Sequence, residues 1–359
     1  MNKLATMIED LLTIGGNTQR QKNGNVLFKV RNRKNRIQVL AFQEIACGSY
    51  KRVMRVWWLA GSSPFNNLVL GDSYAYAKLI ELQDYRNRYK KNLGDSTACI
   101  PKDVQDDLSD IHRELIEEVS ISQTLPEDVA VHMDVVYSYR QKERPKGLVM
   151  KYYECGNLRE VCTSPLNLFS IYLQRMNYAY DLAKKLMMIH AAGYCHLDFT
   201  TAQILVREQQ SQKIIVTDFG MAALIGSSID EFRTSPPYAA PELLGGVREK
   251  KVDTAWDAWS LGICILEIMY GLEKNVYRKS YIVEEILEED INDQKRLKYE
   301  AEWCRLQKRI IDSLTLRGEI HDVIRRVISG LLDINPAMRW TVEQAEHALF
   351  YFLFQFTLV

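Results

Sequence analysis

The segment from Leu182 to Gly220 constrains the fold of this chain more than any other. A helical pattern, LAKKLMMIHAAG, leads into YCHLDFTTAQILV, and the polar turn EQQSQK separates that run from IIVTDFGMA. Two short apolar runs on either side of a polar turn predict a β-hairpin. Asp198 lies in the loop that precedes the first predicted strand, and Asp218 lies where the second one stops. This predicted hairpin therefore carries a carboxylate at each end.

Two aspartates in this arrangement suit chemistry on a phosphoryl group. One carboxylate orients an attacking hydroxyl, and the other holds Mg²⁺ against the phosphates. A single aspartate in a loop is more often a helix cap or a turn residue. The prediction of phosphoryl transfer therefore depends on the pair and on the strand–turn–strand unit between its members.

The texture of the chain changes near residue 155. From Ile37 to Tyr153 it has β-branched and aromatic runs of strand length, such as IQVLAFQEI and RVMRVWWLA, which predict strands. One helix is predicted among them, DVQDDLSDIHRELIEEVSISQTL, with one face formed by Ile111, Leu115, Val119 and Ser122. After Leu158 helical periodicity dominates, at 166–191, 254–270, 282–314, 319–332 and 341–352. An α+β fold follows, with a small β-rich part and a larger helical part.

Residues 1–35 are predicted to be a leader or extension. An amphipathic helix over Met1 to Ile14 ends at Gly15-Gly16, and seven basic residues follow between positions 20 and 36. A polybasic strip can meet a membrane or an acidic partner. The alternative interpretation is a solvated strap that packs on the next domain.

Composition excludes several classes of protein. Lys and Arg total 46 and Asp and Glu total 46, so net charge gives no reason to expect nucleic acid as a partner. No apolar run approaches the ~20 residues that span a bilayer, and thus no transmembrane segment is predicted. The seven cysteines are scattered, with no C-x-x-C spacing, which is typical of a reducing compartment. A cytoplasmic location is the resulting prediction.

Five ordered motifs resemble those of the eukaryotic-type protein kinases. HLDFTTAQIL is similar to the family's catalytic loop, and Asp218-Phe219-Gly220 is similar to its metal-binding D-F-G. Ala240-Pro241-Glu242 resembles the motif that closes the activation segment, and DAWSLG at 257–262 resembles the head of a buried helix in the family. NPAMRWT then supplies Arg339, which by this resemblance pairs with Glu242. The resemblance covers about residues 37–352.

The resemblance implies a bilobal protein kinase fold. A five-stranded antiparallel sheet with one helix is expected over about 36–154, and a mainly helical lobe over 155–359. ATP and Mg²⁺ (or Mn²⁺) are expected between the lobes. The implied function is transfer of the γ-phosphoryl group to Ser or Thr hydroxyls of protein substrates, with Asp198 as catalytic base. Asp218, with help from Gln203, is the implied metal ligand.

The residues implied to bind nucleotide lie mostly upstream of the catalytic loop. IACGSYKRV resembles the glycine-rich loop over the phosphates at Gly48 and Val53, whereas Ala46 and Lys51 replace two glycines. YAYAK resembles the strand that supplies the phosphate-binding lysine, here Lys78. The acidic partner of Lys78 is Glu114 or Glu118, one helical turn apart, and the spacing of E-V-S-I-x-x-x-L favours Glu118. The remaining predicted nucleotide contacts are Met150 as gatekeeper, Tyr152 and Tyr153 in the hinge, and Leu205.

Three departures from the family pattern keep a second function open. Leu197 replaces the arginine that pairs with a phosphorylated activation loop, so we expect alanine at Ser227, Ser228, Thr234 and Ser235 to leave much activity. Thr200 stands where Ser/Thr kinases usually carry a lysine, and Gln203 replaces the asparagine that binds a second Mg²⁺. The alternative is a pseudokinase scaffold that binds nucleotide or partner proteins with little phosphotransfer.

Subfamily features are sparse. The H-L-D-x-T variant of the catalytic loop and the poor glycine loop resemble the FIKK-type kinases of apicomplexan parasites, and bacterial effector kinases resemble the chain on the same residues. SPPYAAPE and WSLG are closer to the versions of these motifs in Ser/Thr kinases than to those in Tyr kinases.

Overall fold

The computed structural model describes residues 18–20, 26–31, 36–47, 51–60, 73–79, 102–138, 145–163, 168–208, 213–229, 235–243, 250–271, 293–314 and 319–357. The chain divides into two compact units. The first comprises Met1–Gln123 and Val131–Tyr152, and the second comprises Thr124–Ala130 and Tyr153–Val359. The mixture of helices with antiparallel sheets agrees with the predicted α+β class.

A seven-stranded antiparallel sheet forms most of the first unit. Its strands are β1 (Thr18–Arg20), β2 (Val26–Arg31), β3 (Arg36–Cys47), β4 (Lys51–Ala60), β5 (Ser73–Leu79), β6 (Met133–Ser138) and β7 (Pro145–Lys151). They follow the order β1-β2-β3-β4-β5-β7-β6, and β2 also pairs with β6. Six strands therefore close into a ring, in which Arg31 of β2 is paired with both Arg36 and Tyr137.

The predicted five-stranded sheet is thus too small, because β1 and β2 belong to the segment that the sequence analysis assigns to a leader. In VLFKVR, apolar and basic residues alternate from Phe28 onward, which is the period-2 pattern of a strand with one polar face. Counting the basic residues as one charged strip conceals this alternation. The proposed start of the sheet at residue 36 therefore moves upstream to at least Thr18, while the predicted helix over 1–14 lies outside the described residues.

Among the described residues of the first unit, one helix, α1 (Lys102–Thr124), accompanies this sheet, which agrees with the predicted helix. Leu115, Val119 and Ser122 of its predicted inner face are 1%, 7% and 0% exposed. Glu118 lies on the same face and is 3% exposed, a burial that a carboxylate tolerates only with partners. The apolar residues of β6 and β7 complete the core of this unit, with Met133 and Leu148 wholly buried.

The second unit is mainly helical. Its helices are α2 (Leu158–Thr163), α3 (Leu168–Ala191), α4 (Thr254–Tyr270), α5 (Asp293–Ser313), α6 (Glu319–Leu331) and α7 (Val342–Thr357). Short antiparallel pairs join β8 (Tyr194–Cys195) to β11 (Ala223–Leu224), β9 (Ile204–Glu208) to β10 (Lys213–Val216), and β12 (Ser228–Ile229) to β13 (Lys250–Lys251). The pairing of β9 with β10 is the hairpin predicted from the sequence. Within the described ranges, no helix is long and apolar enough to cross a bilayer.

Helix α4 lies at the centre of this unit. Every residue from Trp256 to Met269 is buried, so the helix has protein on all sides. The Asp253 side chain accepts a hydrogen bond from the Ala255 amide and caps its start. A Cβ on Gly262 would lie 2.8 Å from Leu332 Cδ2 and 2.9 Å from Leu331 Cβ, so only glycine lets α4 and the end of α6 approach this closely.

An ion pair predicted from the resemblance joins two distant parts of the unit. Nη1 and Nη2 of Arg339 donate to the two carboxylate oxygens of Glu242 at 2.6 and 2.8 Å. The same guanidinium donates to the Ala255 carbonyl at 2.8 Å and to the Asp333 carbonyl at 2.9 Å. The Arg339 side chain is 0% exposed, so this bidentate pair is shielded from solvent on its cationic side. The predicted pairing of Arg339 with Glu242 is confirmed.

We expect Arg339→Ala to lower the free energy of unfolding by about 3 kcal/mol, because it leaves a carboxylate and two carbonyls without their donor. Urea denaturation followed by circular dichroism measures the loss. Arg325→Ala, at an exposed position on α6, is the control, and its effect should stay within about 0.5 kcal/mol. Equal midpoints for the two variants would contradict the structural role of the pair.

Candidate active site

The loop His196–Gln203 connects β8 to β9 and is held by the buried carboxylate of Asp257 in α4. Asp257 accepts hydrogen bonds from the backbone amides of His196 at 2.7 Å and Leu197 at 2.9 Å. Nε2 of His190 lies 2.9 Å from its Oδ2. Burial raises the pKa of Asp257, but the hydrogen bond and charge of His190 outweigh it, so that the pKa lies below its ordinary value. The loop is therefore attached to the centre of the unit by an ionised group.

This anchoring holds the backbone in an unusual conformation. Leu197 has φ 64°, in the left-handed region that branched side chains seldom adopt. Its side chain is 4% exposed, and it therefore faces protein rather than solvent. His196, the residue before Leu197, also makes two hydrogen bonds through its ring. Its Nδ1 accepts from the Asp198 amide at 3.3 Å, and its Nε2 donates to the Thr217 carbonyl at 3.1 Å. His196 thereby connects the loop to the end of β10, next to Asp218.

Asp198, which follows directly, is contacted by two other parts of the chain. Its Oδ1 accepts from the backbone N–H of Ser235 at 3.0 Å and from the Ser235 hydroxyl at 2.7 Å. Its Oδ2 accepts from Nε2 of Gln203 at 3.3 Å. Sequence reasoning treats Ser235 only as a phosphorylation candidate and misses this contact. The Ser235 hydroxyl already occupies a position beside Asp198. A carboxylate in contact with a hydroxyl can receive the proton of an alcohol.

Asp218 follows β10, as predicted, at the open end of the hairpin where Gln203 precedes β9. The Thr217 amide donates to the Gln203 carbonyl at 3.0 Å, so the residue before Asp218 is bonded to Gln203 across the open end of the β9–β10 pair. Asp218 has φ 63°, again in the left-handed region. Phe219, which is 1% exposed, packs its ring 5.0 Å from that of His196. Asp198, Gln203 and Asp218 are thus brought to one region of the second unit.

The donor set at this end of the hairpin fits Mg²⁺. Carboxylate and amide oxygens are the ligands that this hard cation prefers. The amide nitrogen of Gln203 is directed to Asp198, which leaves its amide oxygen on the opposite side of the group. Asp218 and Gln203 thus carry oxygen atoms of the kind that Mg²⁺ prefers.

A second cluster of possible metal ligands serves the structure instead. His190, Cys195 and Asp257 offer ligand atoms within 4.8 Å of one another. The Asp257 carboxylate already accepts from the two loop amides and contacts His190, and burial raises the pKa of the Cys195 thiol far above its usual value. A protonated thiol is a poor metal ligand.

A buried polar network lies under the residues that follow Ser235. The Tyr238 hydroxyl donates to Oε2 of Glu267 at 2.7 Å, and the Thr201 hydroxyl donates to the same oxygen at 2.8 Å. Glu267 is wholly buried in α4. Nη2 of Arg159, on α2, donates to the Tyr238 hydroxyl at 3.2 Å, and the Arg159 amide donates to the Thr201 carbonyl at 3.0 Å. None of these four residues is singled out by the sequence analysis, because the spacing between them, up to 108 positions, gives no local pattern.

The predicted nucleotide residues upstream belong mostly to the first unit. Met150 at the end of β7 is 9% exposed, and the Tyr152 ring lies 4.3 Å from the guanidinium carbon of Arg55. Val53 and Tyr153 are half-buried. Lys78 in β5 is paired with Arg52 of β4 and Gly147 of β7, but its side chain, like that of Ala46, lies outside the described residues, as does all of Gly48. Leu205 of the second unit is bridged to Asn157 and paired with Ile215.

Comparison with known families decides the class of the chain. Residues 89–351, which are more than half of the chain, match the model of the protein kinase domain family. The chain belongs to the protein kinase family. The recognition made from the catalytic loop, D-F-G and A-P-E motifs is confirmed.

Several curated kinases are similar to parts of this kinase. Dual specificity testis-specific protein kinase 2 of Rattus norvegicus is 34% identical over 129 residues, or 34% of this chain and 22% of that protein. Cell division control protein 7 of Schizosaccharomyces pombe is 28% identical over 176 residues, covering 44% and 15%. Serine/threonine-protein kinase PSK2 of Saccharomyces cerevisiae is 36% identical over 124 residues, covering 34% and 10%. The alignments thus span less than a quarter of the length of these relatives, and the similarity to FIKK-type kinases stays a prediction.

The family match begins at residue 89, so the strands with Ala46, Val53 and Lys78 lie upstream of it. In this kinase, Thr200 is 2% exposed, so its side chain is buried. Gln203 keeps contact with Asp198 despite its extra methylene. These departures affect charge and reach rather than the backbone of the loop.

Proposed function

We propose that this kinase transfers the γ-phosphoryl group of ATP to Ser or Thr hydroxyls of protein substrates. The observation that carries the proposal is the contact of the Ser235 hydroxyl with Asp198, 2.7 Å from its Oδ1, at the end of the hairpin that also presents Asp218. An alcohol in this position is oriented for attack, and its proton passes to the carboxylate as the new O–P bond forms and the bond to the ADP oxygen breaks.

The chain's own residues supply position and charge in this reaction. Asp198 orients the substrate hydroxyl and accepts its proton. Gln203 fixes the rotamer of Asp198 through the 3.3 Å hydrogen bond to Oδ2. Asp257 holds the loop amides on which that geometry depends. Catalysis of this kind consists of alignment and electrostatic stabilisation, without a covalent enzyme intermediate.

Asp218 and Gln203 would hold Mg²⁺, or Mn²⁺. The ion, when bound, neutralises the negative charge of the phosphates. One strong carboxylate and one neutral amide form a weaker site than two carboxylates, so we expect the metal requirement to be steep. Mn²⁺ should support activity at lower concentrations than Mg²⁺.

The proposal assigns nucleotide binding to residues of both compact units. Lys78, held by Glu118, would bind the α- and β-phosphates. Support for Glu118 over Glu114 comes from its 3% exposure, because a buried carboxylate needs a cationic partner more than a less buried one does. The loop at Ala46, Gly48 and Val53 would cover the phosphates, and the adenine would meet Met150, Tyr152, Tyr153 and Leu205.

Ser/Thr preference is supported by the similarity to a serine/threonine-protein kinase and to the dual specificity testis-specific kinases. The test is incubation with γ-labelled ATP and generic protein substrates, with Mg²⁺ and Mn²⁺ in parallel, followed by phosphoamino acid analysis. We expect label on serine or threonine. Label confined to tyrosine would contradict the preference, and an absence of label with either metal would contradict the enzyme.

The second candidate function is a pseudokinase scaffold. The neutral, buried Thr200 and the longer Gln203 favour it, because the first removes a positive charge and the extra methylene of the second moves its amide outward. A scaffold binds ATP with unlabelled products in the assay above. The complete pair Asp198 and Asp218 is what places the enzyme first.

The contact between Ser235 and Asp198 changes one expectation from the sequence. Alanine at Ser235 should lower kcat about tenfold to a hundredfold, since it removes a hydrogen bond to a charged group that orients the base. Ser227→Ala and Ser228→Ala should leave kcat within about twofold. The Ser227 hydroxyl donates to the Leu224 carbonyl 2.6 Å away, and Ser228 is exposed. Steady-state kinetics on the three single variants tests this, and equal kcat values would contradict the role of Ser235. Thr234 lies outside the described residues.

A further inference from the structure

Arg159 is a cation in direct contact with the catalytic loop. Its backbone amide donates to the Thr201 carbonyl at 3.0 Å, and its Nη2 donates to the Tyr238 hydroxyl at 3.2 Å. Thr201 follows Asp198 by three positions, and Tyr238 follows Ser235 by three. The two residues that Arg159 contacts are therefore each three positions along the chain from Asp198 or Ser235, which contact each other.

The guanidinium of Arg159 has unused hydrogen-bonding capacity. A guanidinium carries five N–H donors, of which one is used by Tyr238. Its Nε is buried without a hydrogen-bond partner, and within the described part of the chain Arg159 makes no ion pair. A half-buried cation in this state is costly unless an anion meets it in the working complex.

The carboxylate of Glu267 in this network and that of Glu160, the sequence neighbour of Arg159, already have donors. Glu267 accepts from Tyr238 and Thr201 at 2.7 and 2.8 Å. Glu160, the next residue along α2, accepts from the Asn157 side chain at 3.1 Å. An anion that binds Arg159 would therefore come from outside these contacts.

The position of Arg159 indicates which anion that is. When a substrate hydroxyl lies at Asp198, the residues beside it extend by about 3.3 Å each along the surface of the site. Tyr238 is separated from Ser235 by one tight turn, with the Tyr238 amide bonded to the Ser235 carbonyl at 2.9 Å. Because Arg159 bonds to Tyr238, three positions from the Ser235 that contacts Asp198, we expect the anion to come from a substrate residue a few positions from the acceptor.

We propose that Arg159 is a specificity-determining residue that selects protein substrates with an anionic side chain near the acceptor hydroxyl. The anion is a carboxylate or a phosphate, because a guanidinium fork binds either one in bidentate fashion. This inference rests on the proposed function for its location, and it names the substrate class of that same site. A basic residue at the same position of the substrate would be repelled.

The test uses acceptor peptides that differ only at positions −4 to −2 and +2 to +4, each bearing glutamate, phosphoserine, glutamine or lysine in turn. The full-length chain, Arg159→Gln, Arg159→Glu and the exposed control Arg325→Glu are compared. For the unaltered chain we expect kcat/KM about tenfold to a hundredfold higher for glutamate or phosphoserine than for glutamine at one of these positions. For Arg159→Gln, kcat/KM should be the same for peptides with glutamate, phosphoserine or glutamine at that position. Arg159→Glu should prefer the peptide with lysine there, whereas Arg325→Glu should keep the preference of the unaltered chain.

A purely structural role for Arg159, as support for Tyr238, would lower kcat/KM equally for all peptides and would overturn the proposal. Unchanged ratios in Arg159→Glu would do the same. Peptide affinity, measured by fluorescence anisotropy without turnover, should follow the same ranking and the same inversion. If affinity inverts as expected while no peptide is phosphorylated, the proposed function fails and the specificity role survives. Higher activity on glutamate than on phosphoserine identifies acidic sequences as the source of the anion, and the reverse identifies prior phosphorylation.

Discussion

Asp257→Ala is expected to lower the free energy of unfolding by about 3–5 kcal/mol and to abolish phosphotransfer. The alanine leaves the amides of His196 and Leu197 and the ring of His190 without their acceptor. Because Asp257 is 0% exposed, these donors lose their acceptor in the protein interior. Leu197, held at φ 64°, then has no bond to keep it in the left-handed region. Urea denaturation at neutral pH measures the loss of stability.

Two variants separate the charge of Asp257 from its shape and from general damage to α4. Asp257→Asn retains one acceptor oxygen and should cost less than alanine. Asp253→Ala, an exposed cap of the same helix, should cost about 1 kcal/mol and leave the loop intact. If Asp257→Ala were as stable as Asp253→Ala, Asp257 would not anchor the loop.

The pKa of Asp257 also fixes the sign of a pH effect. Because its folded pKa lies below the ordinary aspartate value of about 3.9, its contribution to stability is present above that pH and is lost as the pH falls toward the folded pKa. The unaltered chain should therefore lose stability on acidification below about pH 4 more steeply than Asp257→Asn. Parallel denaturation curves between pH 3 and pH 6 check the difference.

Asp198→Asn is expected to slow the reaction strongly while leaving the fold intact. An asparagine of the same size keeps one acceptor for the Ser235 amide and hydroxyl but cannot take the proton of the substrate. We expect the initial rate of transfer from γ-labelled ATP to fall about 10²- to 10⁴-fold, the usual contribution of a positioned base. ATP affinity should stay within about twofold, since Asp198 is not assigned to the nucleotide.

Asp312→Asn, at an exposed position on α5, is the matched control for a lost aspartate charge. Its rate should equal that of the unaltered chain. A rate for Asp198→Asn within threefold of that control would show that another group takes the proton. Circular dichroism spectra that coincide for the two variants exclude unfolding as the cause of a loss.

The parts of this structure that the sequence predicted are those with a local pattern. The β9–β10 hairpin and the α3 and α4 helices were predictable because their periodicity is contained within a few turns. The Arg339–Glu242 pair was predictable only through the resemblance, because 97 positions separate its members. Local physics alone gives no such pairing.

The parts that were missed depend on contacts that no window of sequence contains. Strand β2 lies in a stretch read as a basic strip, and its pairing with β6 joins positions more than 100 residues apart. Ser235 was considered only as a modification site, although folding brings its hydroxyl to Asp198. Tyr238, Thr201 and Glu267 converge from three elements, and Arg159 joins them from a fourth. Such convergence is set by packing around α4.

Phosphotransfer by a loop with neutral Thr200 and Gln203 is the central claim, and product analysis under proven ATP saturation tests it most directly. The unaltered chain and Asp198→Asn are first shown by calorimetry to bind ATP with metal. Both are then incubated with protein substrate, and the products are identified by mass spectrometry. Phosphoserine or phosphothreonine formed by the unaltered chain and not by the variant is the predicted result. Nucleotide binding by both proteins with no phosphorylated product from either would contradict the account and identify a scaffold.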